Sequence, residues 1–424
     1  MISALLPFFF GLLIFGLPIF AALALAVTAV LYFFGGIDPV VVPMRMFSGM
    51  NNFSLMSIPF FILAAELMRI GGLSDRLIDL ARALIGWLPG GLAAATVMAC
   101  LMFGSISGSS PATVIAIGTI MYPAMVNAGY DRFFSIGLIA TAGTLGPIVP
   151  PSIALIIYGS VTATSVGKLF AAGLLPALLI GVLLIGYGSW FAWRKGYPRD
   201  AFPTVARIVG ATKRAALGLG LPVILLGGIY SGVFTPTESA AVACLYGWFI
   251  GAMVYRSISL RDTLMILRNT GLLAGPLLLI TAGASAFSWL LASTGTPSQL
   301  AASVLSTTDN PWLIMALFNV ILLVAGCFLD SASAIIILGP LMQPIAQSVG
   351  VDPIHFGIIM LVNLSVGMLT PPVGLNLFVA MGVAKMTLFE VFRAALPTIL
   401  LMLVALTLLT YVPAISLLIP NMLF

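Results

Sequence analysis

The chain has 424 residues, 61% of them hydrophobic and only 7% charged, with a mean hydropathy of +1.20. Soluble globular domains carry charge on about a quarter of their residues, so that class is excluded and the composition describes an all-α polytopic membrane protein. An outer-membrane barrel is excluded as well, because its strands alternate apolar and polar residues, whereas Ala21 to Phe34 and Leu174 to Ile185 are continuously apolar; the net charge of +5 belongs to cationic loops, and nothing in it calls for nucleic acid.

Met1 to Phe34 has no basic leader and no small-residue cleavage site. It is read as retained membrane sequence, two short crossings split near Gly16 and Pro18. Asp38 to Asn52 follows as an outer interfacial segment, and Ser54 to Met68 as a crossing that descends to Arg69, Arg76 and Arg82. The next stretch is broken at Gly104-Ser105-Ile106-Ser107-Gly108-Ser109-Ser110-Pro111-Ala112-Thr113. Its apolar arms are each shorter than the ~20 residues of a spanning helix, so residues 92–127 are expected to form a re-entrant hairpin. Backbone freed by glycine, serine and proline at that depth has to line a protein-enclosed polar cavity. Phe133 to Val166 is an interrupted crossing, broken between Thr141 and Ser152, and Phe170 to Trp193 leads to a linker. From Arg194 to Arg214 that linker carries six cations against Asp200 alone, which places it in the cytoplasm.

The second half follows the same plan. Leu217 to Val233 and Glu238 to Tyr255 are crossings joined by the turn Thr235-Pro236-Thr237, with Arg256, Arg261 and Arg268 at the return. Thr270 to Leu291 crosses outward and Thr294 to Asn310 is an outer loop. Residues 312–347 form a second hairpin, broken between Phe328 and Ser333; 355–383 form a second interrupted crossing, broken at Leu369 to Pro372; Phe392 to Pro413 is the last crossing. At an offset of 221 residues, without a gap, Gly118 falls on Gly339, Pro123 on Pro344, Asp131 on Asp352, Gly146 on Gly367, Pro150-Pro151 on Pro371-Pro372, and Pro176 on Pro397. The residues that repeat are those that shape backbone. Two units, 1–212 and 213–424, are therefore expected, each with five full crossings. An odd number inverts the second copy and leaves both termini outside.

Interrupted helices at matching positions of inverted halves point to a secondary transporter with a midplane site. No Walker A pattern is present, so an ion gradient is the expected driving force. Ser105 and Ser107 at the first tip, with backbone oxygens of Gly146, Val149 and Pro150, are the candidate ligands of one Na⁺, since a hard cation takes neutral oxygens. Packing of small residues is the plainer alternative. Asp330, which replaces Ser109 in the repeat, is an acid within a membrane segment and functional by default; with Gly367, Met368 and Thr370 it is assigned to a second Na⁺, and capping of a half-helix is its other reading. Ser109, Ser152, Ser331 and Asn376 are assigned to substrate, with interhelical hydrogen bonding as the plainer reading of Asn363 and Asn376. Glu238 reads as a helix cap, and His355, the single histidine, as an interfacial residue. Cys100, Cys244 and Cys327 read as buried hydrophobes with no metal spacing. A serine enzyme using Ser107 or Ser109 would need His355 as its base, a remote alternative, and a passive channel is another.

Four of these motifs, Gly104 to Thr113, Gly143 to Ser152, Gly227 to Ala241 and Leu369 to Asn376, resemble those of the large membrane subunit of the tripartite ATP-independent periplasmic (TRAP) transporters. The resemblance covers essentially the whole chain. It implies a bacterial inner-membrane importer of organic acids, such as sialic acids or C4-dicarboxylates, coupled to Na⁺ and working as an elevator: hairpins and interrupted helices move as a transport domain against a scaffold of the remaining helices. It further implies two partners, a separate small four-helix membrane subunit and a periplasmic substrate-binding protein. A single-chain Na⁺/carboxylate symporter needing no binding protein is the alternative.

Overall fold

The computed structural model describes residues 2–35, 37–51, 53–296, 299, 302, 308 and 310–424, so most of the expected outer loop Thr294 to Asn310 lies outside the described residues. All regular structure among the described residues is helical. Helices α1 (Ile2–Ile14) and α2 (Ile19–Val30) part at Gly16, whose φ of +81° only glycine adopts readily, and at Pro18, which caps α2. Then come α3 (Val41–Met50), α4 (Ser57–Ile70) and α5 (Leu73–Ile85). Residues 73–85, expected only as a connection bearing Arg76, are instead an amphipathic helix bent 74° from α4, with Leu73, Leu77, Ile78 and Leu80 buried. Its arginines are tied down: Arg82 pairs with Asp200 at 3.2 Å, and Arg76 lies over the Tyr255 ring.

The first hairpin is α6 (Gly91–Ser107) and α7 (Ser110–Asn127); α8 (Arg132–Gly143), α9 (Leu145–Ile148) and α10 (Ile153–Thr162) form the interrupted helix; α11 (Val166–Lys195) returns. After α12 (Val205–Tyr230), α13 (Pro236–Phe249) and the 34-residue α14 (Leu260–Ser293) comes the second hairpin, α15 (Pro311–Phe328) and α16 (Ser331–Ser348). Helices α17 (Pro353–Gly367) and α18 (Leu375–Ala384) form the second interrupted helix, followed by α19 (Leu388–Tyr411) and a terminal α20 (Ala414–Leu423). The hairpin arms have 17 or 18 residues, short of the ~20 of a spanning helix, and in the first of them the helix runs through Gly104 and Ser105 to Ser107. By length and composition six helices can cross a membrane among the described residues, eight when the two bent pairs α4–α5 and α8–α10 are counted; α15 is one of the six. At 13 and 12 residues, α1 and α2 fall short of a full span.

The offset of 221 residues carries over to the elements. Adding it to the bounds of α7 gives those of α16, and both Pro150-Pro151 and Pro371-Pro372 are cis. Packing is reciprocal: α7 lies on α18 and α16 on α10; α8 lies on α19 and α17 on α11. Such an exchange of partners is the signature of an isologous, two-fold-like arrangement. Membrane helices gain little from apolar burial against one another and rely on close approach and polar contacts. Here Gly137 seats against the Ala394 backbone and Thr141 Oγ1 meets Thr398 Oγ1 at 2.7 Å between α8 and α19. Asn363 behaves as the plainer reading has it, donating to Asn319 Oδ1 at 2.5 Å, while Asn319 donates to Thr410 at 3.0 Å. His355 is 3% exposed, its Nδ1 is 2.6 Å from Ser416 Oγ, and α20 covers it. Glu238 closes a capping box with Thr235, and the three cysteines are buried and free.

Candidate functional site

Both hairpins are broken by two residues, and only the second restarts on a helix capped by a side chain. At the first tip Gly108 takes φ +58°, and a Cβ there would lie 3.0 Å from the Pro151 carbonyl oxygen, so the turn needs a residue without a side chain. Ser109 is the N-cap of α7, but its hydroxyl makes no capping bond. At the second tip Asp330 is the N-cap of α16. Its Oδ2 accepts from the N–H groups of Ala332 (3.0 Å) and Ser333 (3.2 Å), and its Oδ1 from Ser333 Oγ at 2.5 Å. Capping and cavity exposure coexist at this acid.

Each tip abuts the other break of its own repeat through paired glycines. A Cβ on Gly104 would lie 3.0 Å from Gly146 Cα, and one on Gly326 would lie 3.0 Å from Gly367 Cα. Backbone therefore meets backbone at both places, and the tip oxygens approach the interrupted helices without side chains intervening. Around Gly146 three oxygens gather: Ser107 Oγ is 2.9 Å from Thr113 Oγ1, and Thr113 Oγ1 donates to the Ser109 carbonyl at 2.8 Å. A Cβ on Gly146 would fall 2.6 Å from that carbonyl oxygen and 2.7 Å from Thr113 Oγ1. Thr113 was not among the residues singled out in the sequence; its spacing of four from Ser109, one helical turn, is the signal that marks it.

Between the tips lies a cavity of about 250 Å³ lined by residues of both halves, among them Ser109, Ser110, Asp330, Ser331 and Met368. Four helices open into it at their N-termini: α7 at Ser110 and Pro111, α10 at Ile153 and Ala154, α16 at Ser331 and Ala332, α18 at Leu375. Among the described residues Asp330 is the one ionisable group in the lining, with no lysine or arginine beside it. Positive ends of helix dipoles, rather than cationic side chains, thus face the space.

Of the expected substrate residues, Ser109 and Ser331 line this cavity; Ser331 Oγ is 3.2 Å from Met368 Sδ. Ser152 lies outside the lining, fully buried, and caps α10 by accepting from Leu155 N–H at 3.3 Å. Asn376 is also fully buried and donates to Ser110 Oγ, tying the second interrupted helix to the first hairpin. Of the expected ion residues, Asp330 and Met368 line the cavity, and Ser107 and Gly146 belong to the oxygen group behind the first tip. Ser105 turns its hydroxyl back to the Met102 carbonyl at 2.7 Å; Thr370 Oγ1 does the same toward Val366 at 3.3 Å. Val149 and Pro150 are buried at the first break and Gly367 at the second. The one histidine faces Ser416 and borders a different cavity, with Asp352 and Tyr411, so it does not serve Ser107 or Ser109 as a base.

The family model of the tripartite ATP-independent periplasmic transporter DctM component matches residues 6–415. The C4-dicarboxylate TRAP transporter large permease protein DctM of Rhodobacter capsulatus is 41% identical over 438 residues, covering 99% of each chain. The sialic acid TRAP transporter large permease protein SiaM of Vibrio cholerae is 35% identical over 412 residues, covering 97% of this chain and 96% of that one. Among solved structures, the Alcanivorax borkumensis YdaH transporter shares the fold with a TM-score of 0.62 at 17% identity, covering 90% of this chain and 89% of that one.

Proposed function

Since the chain belongs to the DctM family of TRAP transporter large permeases, a multi-pass membrane protein and not an enzyme, we propose that it imports a small organic acid across the bacterial inner membrane. The observation that carries this reading is the single cavity into which both hairpin tips and four helix N-termini open. A carboxylate there meets N–H groups and dipole ends in place of a fixed cation. Release then requires no ion pair with a lysine or arginine side chain to be broken.

In this reading Na⁺ supplies the missing positive charge. Ser107 Oγ, Thr113 Oγ1 and the Ser109 carbonyl, 2.8 to 3.4 Å apart, suit a hard cation, with carbonyls of the Gly146 to Pro150 break completing the shell. Asp330, with Thr370 and the Gly367 and Met368 backbone, serves a second ion. Each bound ion favours a closed tip and strengthens substrate binding, which is the coupling. Hairpins and interrupted helices form the transport domain, the other helices the scaffold, and residues 1–212 and 213–424 are inverted repeats with both termini on the periplasmic side. A small membrane subunit and a periplasmic binding protein complete the machine; the tripartite periplasmic family and the large-permease names of the relatives support both.

The test is uptake of succinate or sialic acid into proteoliposomes holding the chain with its small subunit, at clamped voltage, with the binding protein outside. Uptake should require both the binding protein and a Na⁺ gradient. If choline replaces Na⁺ without effect, the coupling is refuted; uptake by the chain alone would make it a single-chain symporter.

A further inference from the structure

A second cavity, about 480 Å³, lies between α3, α10 and α14, and its polar lining is Ser48, Asn51, Ser160, Thr281, Ser285 and Ser288. Each bears a hydroxyl or an amide and none a charge. Its volume falls in the range of small-molecule sites, whereas the tip cavity is about half as large. Helix α14 borders both. Leu277 faces the tip cavity, and Thr281, Ser285 and Ser288 follow four, eight and eleven residues later on the same face. The two spaces thus border one face of the same helix, which runs ~17 Å from Leu277 to Ser288.

Small polar residues on a membrane helix ordinarily mark a packing seam, and Gly49 of α3 does seat against Ser285. A seam closes, however, while this space stays open, and three helices turn hydroxyls or amides toward it. Thr281 Oγ1 donates to the Leu277 carbonyl at 2.9 Å and Ser285 Oγ to the Thr281 carbonyl at 3.0 Å. Their protons are committed to the helix, so lone pairs are what they offer the cavity. The Asn51 amide adds N–H donors to the opposite wall.

We infer that this hydroxyl-lined cavity is a second substrate site, a way station for hydroxyl-bearing organic acids beside the tips. The ligand's hydroxyl donates its one proton to Thr281 Oγ1, beside Ser285, and its carboxylate accepts from Asn51 and Ser288. With no fixed charge in the wall, the acid is held loosely enough to move on. This rests on the transport reading above and adds to it a substrate class.

The test compares malate, which carries a hydroxyl, with succinate, which lacks one, in Na⁺-driven uptake by the full transporter. Thr281→Val keeps the shape and removes the acceptor. The KM for malate should rise about three- to tenfold, one hydrogen bond's worth, with kcat unchanged and succinate shifted less than about twofold. Equal shifts for both acids, or none for malate, overturn the site. Ser288→Cys gives an independent readout, because the native cysteines are buried: malate should slow its labelling by a membrane-impermeant thiol reagent applied on the α3 side. Labelling that malate leaves unchanged overturns the site even where Thr281→Val does not fold. A wild type that prefers succinate overturns the hydroxy-acid class, and one that takes up neither of these acids nor sialic acid with Na⁺ counts against the transport reading instead.

Discussion

The two hairpin tips occupy equivalent places in the repeat and solve the same problem with opposite chemistry. At the first, Ser107 and Thr113 supply neutral oxygens and the cap position holds Ser109, which makes no capping bond. At the second, the residues 221 positions on are Phe328 and Ala334, so those hydroxyls are gone, and the cap is Asp330 with three donors on its carboxylate. What persists is the backbone: Gly146 and Gly367 each let a broken helix touch a hairpin. The shared geometry therefore holds the fold together, and the side chains that differ make the two tips unequal. On the proposed coupling, a first ion at neutral oxygens should exchange readily. One beside Asp330 should be held by a full charge.

The largest effect should come from what the tips share. Gly146→Ala puts a methyl 2.6 Å from the Ser109 carbonyl oxygen, and Gly367→Ala puts one 2.5 Å from Gly326 Cα. Neither neighbour is a flexible side-chain end, so backbone has to shift at a strain of about 1–3 kcal/mol. Both variants should insert in the membrane yet lose at least about tenfold in uptake. Normal uptake by either would show that the close approach is incidental. Next in size is Asp330→Asn. Asparagine caps a helix about as well as aspartate, so the variant keeps the fold and removes the charge. A unit charge 4 Å from a cation at an effective dielectric of 20 is worth ~4 kcal/mol, and the Na⁺ concentration for half-maximal uptake should rise more than about tenfold. Unchanged Na⁺ dependence with unchanged melting would leave Asp330 as a cap that also faces the cavity.

The backbone half of this picture is legible in the sequence. Gly108, Gly146, Pro150 and Pro151, with their repeats, fix where helices stop, because those residue types restrict or free φ wherever they fall. The all-helical class, both hairpins, both interrupted helices and the Glu238 cap follow from that. Side-chain destinations do not. Whether a serine serves the cavity or its own helix depends on which neighbouring carbonyl lies in reach, and that is settled by packing among four helices. Ser152 and Asn376 lie outside the lining for this reason. Helix α5 was readable from its spaced Leu73, Leu77 and Leu80 but was masked by its arginines, and α20 was masked by Pro413, which ends one helix and begins another. His355 is buried by that same α20.

The comparison sharpens further within the first tip. Ser107→Ala removes an oxygen 2.9 Å from Thr113 Oγ1 and also the acceptor of the Ser109 N–H. One neutral hydrogen-bonding group is worth about 1 kcal/mol, so apparent Na⁺ affinity should fall a few-fold, less than for Asp330→Asn. Ser105→Ala, two residues earlier, should do the least. Its hydroxyl already donates to the Met102 carbonyl at 2.7 Å within the same helix, and that bond competes with helix geometry as much as it supports it. Removing it vacates no position in the oxygen group, and Na⁺ dependence should stay within about twofold of wild type. If Ser105→Ala instead matched Ser107→Ala, the first ion would sit about half a turn further along α6 than the oxygens around Gly146 place it. The contrast between a neutral first site and a charged second one would then have to be redrawn around Ser105.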